Sequence, residues 1–377
     1  MKHQVIWSIL RRLVYPYLKI KFGYTYEKAK DLPETYIVLS NHTTDFDPIF
    51  VAMSFPKFMH FVASEHVARW KFLSTLINFA FAPIWRYKGS VAASTVIDVF
   101  KKVKEKKNVA LFAEGARTWD GITGPILPST GKMVKKARCS LVTYKIVGGY
   151  FASPRWSQSN TRKGYVHGAP VNIYTQEQLE AMSVDEINEA INRDLYEDAY
   201  ERQLQEPKKY TGKDLAKYME NLLFICPKCG KIDTIQTCDN KVTCSACDLS
   251  FTYTEYGMLE GSDFKTVKEL ANWQRLEVEK TSKSNVTYTA SGSRMITVKK
   301  HEETLVAEGP MTLSRTSLVC GEMEIPLTEI SDMSIHGRRG LVFTAQKQYY
   351  ELVPSAEANA LKFLWLYEEY TKQNAKA

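Results

Sequence analysis

The chain has no run of the roughly 18–20 apolar residues that a membrane-spanning helix requires. The nearest candidate, Phe72–Trp85, is shorter and is interrupted by Ser74, Thr75 and Asn78. The first apolar stretch lacks a small-residue cleavage site and is broken by Arg11-Arg12, so no secretory signal is expected. There is no internal repeat and no low-complexity tract. No dense basic stripe with interleaved aromatics is present, which argues against nucleic-acid binding. What remains is an ordinary globular composition over 377 residues, enough for two or three domains.

Cysteine is sparse except in one place. Of seven cysteines, five crowd between Cys226 and Cys247, as two C-x2-C pairs plus Cys238. That pattern reads as metal ligation in a reducing compartment rather than as disulfides. The net charge of +8 is uneven. Residues 1–30 carry seven Lys/Arg against Glu27 alone, whereas residues 301–377 carry seven Lys/Arg against eleven Asp/Glu. A basic front end suits an anionic partner such as a lipid surface, an acyl carrier or a nucleic acid.

Residues 4–20 read as a helix with Trp7, Leu10, Val14, Tyr17 and Leu18 on one side, kinked or ended by Pro16. Its apolar and basic mixture fits a helix lying in a membrane interface. It fits equally a helix packed on a domain with solvated lysines. From 36 to about 175, strands and helices alternate: strands at Tyr36–Ser40, His60–Ser64, Val109–Phe112 and Ser140–Val147, helices from Pro48 and over Ser94–Lys106. Such alternation predicts an α/β sheet, whose ligands sit just past strand ends.

Two motifs stand at such ends. Asn41-His42-Thr43-Thr44-Asp45-Phe46-Asp47-Pro48 offers a base at His42 and a carboxylate at Asp47 to fix its tautomer. No Ser or Cys nucleophile is near. The simplest chemistry is therefore a substrate hydroxyl, deprotonated by His42, attacking an activated acyl group. The same residues also read as a helix start, with Asp47 or Asp45 as cap and Pro48 in the first turn. The second motif, Phe112-Ala113-Glu114-Gly115-Ala116-Arg117, offers a glycine turn and a guanidinium that matches a phosphate. Glu114 would orient that arginine or a substrate hydroxyl. Arg86 reads either as a further phosphate clamp or as a snorkelling arginine beside Trp85.

Together, His42-(x4)-Asp47 followed by Phe112-x-Glu114-Gly115-x-Arg117 resembles the PlsC-like glycerolipid acyltransferases, over roughly residues 35–200. The resemblance implies His42 and Asp47 as the catalytic pair, and Glu114, Gly115, Arg117 and Arg86 in the acceptor site. It implies a lysophospholipid acceptor, foremost 1-acyl-sn-glycerol 3-phosphate, and acyl-CoA or acyl carrier protein as donor. Glycerol 3-phosphate or another lysophospholipid is the alternative acceptor, and an inactive lipid-surface regulator the alternative role. Ala113 replaces the family's usual proline, Ala116 its threonine, and Leu141–Lys145 lacks the proline of the fourth block, leaving Tyr144 and Lys145 to shape that wall. Phe72–Trp85 would contact lipid or guide an acyl chain, or else form a buried core helix.

Cys226, Cys229, Cys244 and Cys247 resemble a zinc ribbon, a closed tetrahedral site with a structural role. A charged helix over 262–283 follows. From about 285, short strands with turns at Ser291-Gly292, Glu308-Gly309-Pro310, Gly321 and Gly337, closed by a helix from Ser355 to Tyr370, look like a pleckstrin-homology-like barrel. The expected architecture is thus an interface helix (1–30), an α/β acyltransferase domain with a central sheet flanked by helices (31–222), a zinc ribbon (223–260), a helical connector (261–284) and a mostly β domain closed by a helix (285–377). The expected location is cytoplasmic, peripheral on an anionic membrane face.

Overall fold

The computed structural model describes every residue except 1, 65–77, 80, 87–92, 159, 300–301, 338, 356–357 and 376–377. The chain divides into two compact units, residues 1–155 with 159–212, and residues 156–158 with 213–377.

The first unit is built on a seven-stranded sheet: β1 (Tyr24–Tyr26), β2 (Tyr36–Ser40), β3 (Met59–Ser64), β4 (Ile84–Arg86), β5 (Asn108–Phe112), β6 (Ser140–Val147) and β7 (Val166–Tyr174). Their spatial order is β1-β7-β6-β2-β5-β3-β4, and only the β6–β7 pairing is antiparallel. β2 is buried at all five positions, as a strand covered on both faces should be. Helix α2 (Asp47–Ser54) packs on β1, β6 and β7. A second apolar cluster joins the sheet to α3 (Ala93–Lys104), α4 (Ser129–Ala137), α6 (Gln176–Ala181) and α7 (Val184–Leu195), through Leu39, Val99, Val109, Val134, Leu141 and Ile187. The short α5 (Gly149–Ala152) follows β6, and α8 (Ala199–Gln205) follows α7. Half of the apolar segment Phe72–Trp85, residues 72–77 and 80, lies outside the described residues, and its end is the edge strand β4.

Two readings need correction here. Helix α1 (Lys2–Phe22) runs through Pro16 rather than ending there. Nor does it have one apolar side. Trp7, Leu18 and Phe22 are buried, while Val5, Ile9, Leu13, Tyr17 and Ile20 face outward, Leu13 and Ile20 at 69% and 71% exposure. The outward set recurs at steps of four and three residues, so it forms one stripe. Tyr144 is not a wall of the site. It is fully buried, with its hydroxyl 2.7 Å from Ser54 Oγ.

In the second unit, a four-stranded antiparallel sheet is made by β8 (Ile235–Cys238), β9 (Lys241–Cys244), β10 (Ser250–Tyr253) and β11 (Leu259–Glu260). Helix α9 (Val267–Ser282) leads to seven antiparallel strands: β12 (Tyr288–Lys299), β13 (Glu302–Leu313), β14 (Ser317–Cys320), β15 (Met323–Pro326), β16 (Ser331–His336), β17 (Gly340–Ala345) and β18 (Gln348–Pro354). Their order is β15-β14-β13-β12-β18-β17-β16, and α10 (Ala360–Asn374) packs on β12, β13, β16 and β17. Gly321 and Gly337 stand at turns as read. Ser291-Gly292 is instead a bulge inside β12, where the register shifts between Ala290 and Ser293. Gly309 lies within β13, where a Cβ would stand 2.8 Å from Gly321 Cα. Bulges and close backbone approaches use glycine as turns do, so these two strands are longer than their glycines suggested.

Candidate active site

The registers of three parallel strands bring the motifs together. Ser40 on β2 pairs with Phe112 on β5 and with Tyr144 on β6, so the loops after these strands leave the sheet at one level. At the same end, Ser64 on β3 pairs with Arg86 on β4. Asn41 clamps the gap between β2 and β6. Its side-chain amide donates to Ile146 O and its oxygen accepts the Ile146 N–H, both at 2.8 Å.

The loop after β2 turns back on itself. His42 Nδ1 lies 2.8 Å from Asp47 Oδ2. Asp47 is fully buried, yet it is not a cap, because Phe46 holds the N-cap position of α2. Its carboxylate instead accepts the backbone N–H of Thr43 (2.5 Å) and Thr44 (2.9 Å) and the Thr44 hydroxyl (2.7 Å). A buried carboxylate bonded this fully is held in one position. The Nδ1 proton of His42 then points at Asp47, leaving Nε2 with its lone pair as the basic atom. The imidazole stacks on Phe112 at 4.3 Å between centroids, 18° between planes. This Phe112 contact sets the ring plane, and it joins two motifs seventy residues apart in the chain, so neither motif read alone reveals it.

Glu114 does something different from what its motif suggested. Its Oε1 accepts the His42 N–H and its Oε2 the Gly124 N–H, each at 2.6 Å. It therefore ties the base-bearing loop to the loop after β5, rather than orienting Arg117. Burial pushes the Glu114 carboxyl up to about 8. The bonds from Gly124 and His42 pull it down, and the Asp47 and Asp120 charges push it up. The folded-state value lies above the usual carboxylate range of about 4.3. The stabilising contribution is thus fully present below about pH 4.3 and lost as pH rises through about 8. Glu114→Gln removes that titration and sets an amide NH2 against one backbone donor, at a cost of about 1–3 kcal/mol. Thermal unfolding followed from pH 5 to 9 should show the wild-type advantage shrinking with rising pH and levelling off above about 8. Parallel profiles for the two proteins would refute this account.

Gly115 has φ +71°, and a Cβ there would stand 3.3 Å from Arg86 Nη1. The glycine therefore allows the turn and makes room for Arg86, which the structure brings to the second motif. Arg117 is held close by. The next residue, Thr118, donates its N–H to His42 O at 3.1 Å. Arg117 Nη1 is 3.2 Å from Asp45 Oδ2 but makes no aligned hydrogen bond among the described residues. Beside it stands Arg155, which sequence reasoning missed. Its Nη1 donates to Arg117 O at 2.7 Å and its guanidinium covers the Trp119 ring at 4.3 Å. A cavity beside His42 is lined by Asn41, His42, Glu114, Thr118, Tyr150 and Glu197 among others.

The four cysteines converge as well. All four Sγ atoms lie within 4.8 Å of one another, with Cys226–Cys247 at 3.6 Å and Cys229–Cys244 at 3.8 Å. A tetrahedron with Zn–S bonds of about 2.3 Å requires sulfurs about 3.8 Å apart, so the set fits a tetrahedral thiolate metal site. Cys238 is exposed at the end of β8 and stands outside it.

Residues 24–147 match the family model described as Acyltransferase. No curated protein matches the chain. Among solved structures, the 1-acyl-sn-glycerophosphate (LPA) acyltransferase PlsC from Thermotoga maritima is similar at TM-score 0.41 and 17% identity, covering 51% of this chain and 78% of that one. The N-terminal PH domain of human ARAP2 is similar at TM-score 0.20 and 10% identity, covering 24% of this chain and 84% of that one.

Proposed function

We propose, from the match of residues 24–147 to the family model described as Acyltransferase and from the PlsC-like motifs that the chain carries, that this protein acylates the free hydroxyl of a lysophospholipid. The favoured acceptor is 1-acyl-sn-glycerol 3-phosphate, giving phosphatidic acid. The donor is the thioester of acyl-CoA or acyl carrier protein. The observation that carries this reading is the His42–Asp47 pair, with Nδ1 fixed at 2.8 Å and Nε2 left basic, beside a cluster of arginines at the same strand ends.

His42 Nε2 takes the acceptor's hydroxyl proton. The oxygen attacks the thioester carbonyl. The tetrahedral intermediate collapses, the C–S bond breaks, and the imidazolium returns its proton to the leaving thiolate. Asp47 stabilises the imidazolium between these steps. Arg117 and Arg86 hold the acceptor phosphate. Gly115 is the turn that lets Arg86 approach. Glu114 acts through the backbone of His42, as a positioning residue.

A peripheral membrane position is part of the proposal. The outward stripe of α1 carries Val5, Ile9, Leu13, Tyr17 and Ile20, flanked by Arg12 and Lys19, and the helix has no acidic residue. An apolar stripe edged with cations suits an anionic bilayer surface. At its far end Phe22 packs on Phe46 of the His42–Asp47 loop, at 4.9 Å between centroids. That contact would bring a lipid surface to the base. No described helix is long and apolar enough to cross a membrane. Leu13→Glu with Ile20→Glu should release the protein from anionic vesicles in co-sedimentation. Undiminished binding would remove α1 from the interface.

The reaction is tested by a mass-spectrometric acyl-transfer assay with vesicles. Lysophosphatidic acid, glycerol 3-phosphate and lysophosphatidylethanolamine are each crossed with acyl-CoA and acyl carrier protein. Phosphatidic acid from the first acceptor supports the reading. Product only from another acceptor moves the substrate, and no product from any pair favours an inactive lipid-surface protein. In the second unit, the four cysteines are proposed to hold one structural zinc, with no open position for chemistry.

A further inference from the structure

The last turn of α1 meets the loop that carries His42 at Phe46, the residue between Asp45 and Asp47. Phe46 holds the N-cap position of α2 but supplies no side-chain cap. Asp47, which has the chemistry to cap the helix, is bonded to His42, Thr43 and Thr44 instead. The start of α2 therefore lacks the side-chain acceptor that helices commonly place there. At Phe46 the backbone is held by the Thr44 hydroxyl, which accepts the Phe46 N–H at 3.0 Å. The half-buried Phe46 side chain is held by α1.

That packing rests on a fixed floor. Phe22, Tyr24 and Phe50 are fully buried. The Tyr24 ring stacks on Phe50 at 4.4 Å, and its hydroxyl donates to Phe50 O at 2.6 Å. Gly23, at φ +67°, makes the turn between Phe22 and Tyr24, where a Cβ would collide with Gly164 O. The close approach fixes the path of the chain there. Phe22 then meets Phe50 edge-on at 5.5 Å and Phe46 at 4.9 Å between centroids. Lys21 adds a cation. Its Nζ lies 5.2 Å from the Phe46 ring centroid, 5.5 Å from that of Phe22 and 5.3 Å from that of Tyr17, and it donates to Tyr17 Oη at 2.9 Å. Ring pairs and ammonium–ring contacts at such separations attract beyond what burial alone gives.

Phe46 is one residue from each carboxylate of the loop. Asp47 orients the His42 ring, and Asp45 faces Arg117 at 3.2 Å. A shift of the Phe46 backbone displaces both.

We propose that Phe22 and Lys21 are positioning residues of the acyl-transfer site, which hold the His42–Asp47 loop in its reactive geometry through Phe46. α1 then serves the chemistry directly, apart from any contact with lipid. This deepens the acyl-transfer reading and rests on it.

The test removes lipid from the assay. Wild type, Phe22→Leu, Lys21→Met, Lys21→Arg and Gln4→Ala are compared as full chains without vesicles, on a short-chain lysophosphatidic acid and a short-chain acyl-CoA below their micelle concentrations. Gln4 docks the opposite end of α1, donating to Pro56 O and accepting the Phe58 N–H, so Gln4→Ala loosens the helix at its far end. Phe22→Leu should lower kcat about 10–100-fold, as small misplacements of reacting groups do, with KM little changed. Lys21→Met keeps the stem but loses the charge over the rings, and should lower kcat about 3–30-fold. Lys21→Arg keeps the charge and should restore most of that loss. Gln4→Ala should keep the wild-type kcat.

Wild-type kcat in both Phe22→Leu and Lys21→Met overturns the proposal. So does an equal fall in Gln4→Ala, which would reduce the effect to docking of the helix. A raised KM at constant kcat also overturns it, because Phe22 and Lys21 would then act in substrate binding. Hydrogen exchange followed by mass spectrometry reads the loop independently of turnover. The Thr43 and Thr44 N–H groups, bonded to Asp47, should exchange faster in Phe22→Leu and Lys21→Met than in wild type and Gln4→Ala. Should wild type transfer acyl groups to no acceptor, the acyl-transfer reading fails separately. The exchange comparison then decides, as it does where the soluble substrates give no turnover, and equal exchange in all variants ends the proposal. If Phe22→Leu loses its cooperative melting transition, Lys21→Met and Lys21→Arg carry the same comparisons.

Discussion

His42→Ala should lower kcat by about 10²–10⁴ and leave the protein folded. The ring is partly exposed and stacks on Phe112 from one side, so its removal opens little buried space. The Asp47 carboxylate beneath it remains bonded to the Thr43 and Thr44 amides and the Thr44 hydroxyl, so it is not stranded. The neighbouring substitution should behave differently. Asp47→Asn can keep an oxygen where Oδ2 takes the His42, Thr43 and Thr44 N–H groups and turn its NH2 to the Thr43 and Thr44 hydroxyls, but it exchanges charge-assisted bonds for neutral ones and removes the charge that faces the His42 ring. It should lose both activity and about 1–3 kcal/mol of stability. Steady-state kinetics beside thermal melts of both variants separate the two roles. Near-normal turnover in His42→Ala would sink the general-base mechanism. Equal melting losses in both variants would contradict the carboxylate's place in the loop.

The second large effect concerns the cysteine ribbon. Few apolar side chains support its four short strands, chiefly Ile235, Val242, Phe251, Tyr253 and Leu259. So small a core rarely holds its own shape without a staple. Zinc bound to four thiolates contributes about 10–16 kcal/mol in isolated finger peptides, and that binding energy is also folding energy. Purified wild type should therefore carry one zinc per chain. Cys229→Ser should lose most of it and melt in a broad or split transition. A zinc-free wild type with a single sharp transition would show that the sulfurs, though 3.6 Å and 3.8 Å apart in pairs, serve packing alone.

Features carried by neighbouring residues were legible in the sequence. The strands at Tyr36–Ser40 and Ser140–Val147 were readable from continuous apolar runs, and the metal-ligand spacing from the two C-x2-C pairs. The His42–Asp47 approach was readable as one of two options, since five residues allow either a returning loop or a capped helix. The choice is made by the Thr43 and Thr44 amides, which engage Asp47 before α2 begins. Glu114 was readable as a residue of the second motif but not as a tether. Its partners, His42 and Gly124, are brought to it by the pairing of Ser40 with Phe112, and register is not written in either strand alone. Arg155 gave no signal at all, because it lies in an irregular stretch and meets Arg117 only after β6 and α5 have been laid down. The length of β12 and β13 was hidden by glycines that serve a bulge and a tight strand crossing.

The placement of α10 has a consequence for how the chain is made. Lys362, almost wholly buried, bonds Asp233 in the ribbon and donates to Thr289 O at 2.9 Å, while the Asn359 side chain bonds Glu220 O. β18 also inserts beside β12, which leaves the ribosome more than fifty residues earlier. The second unit therefore cannot close until synthesis has passed Lys362. The residues of the first unit are all available by Gly212. Vectorial synthesis thus sets an order in which the unit carrying His42 can settle first. The β12 edge that awaits β18 stays open longest, so a nascent chain stalled before residue 348 is the species most exposed to misassociation.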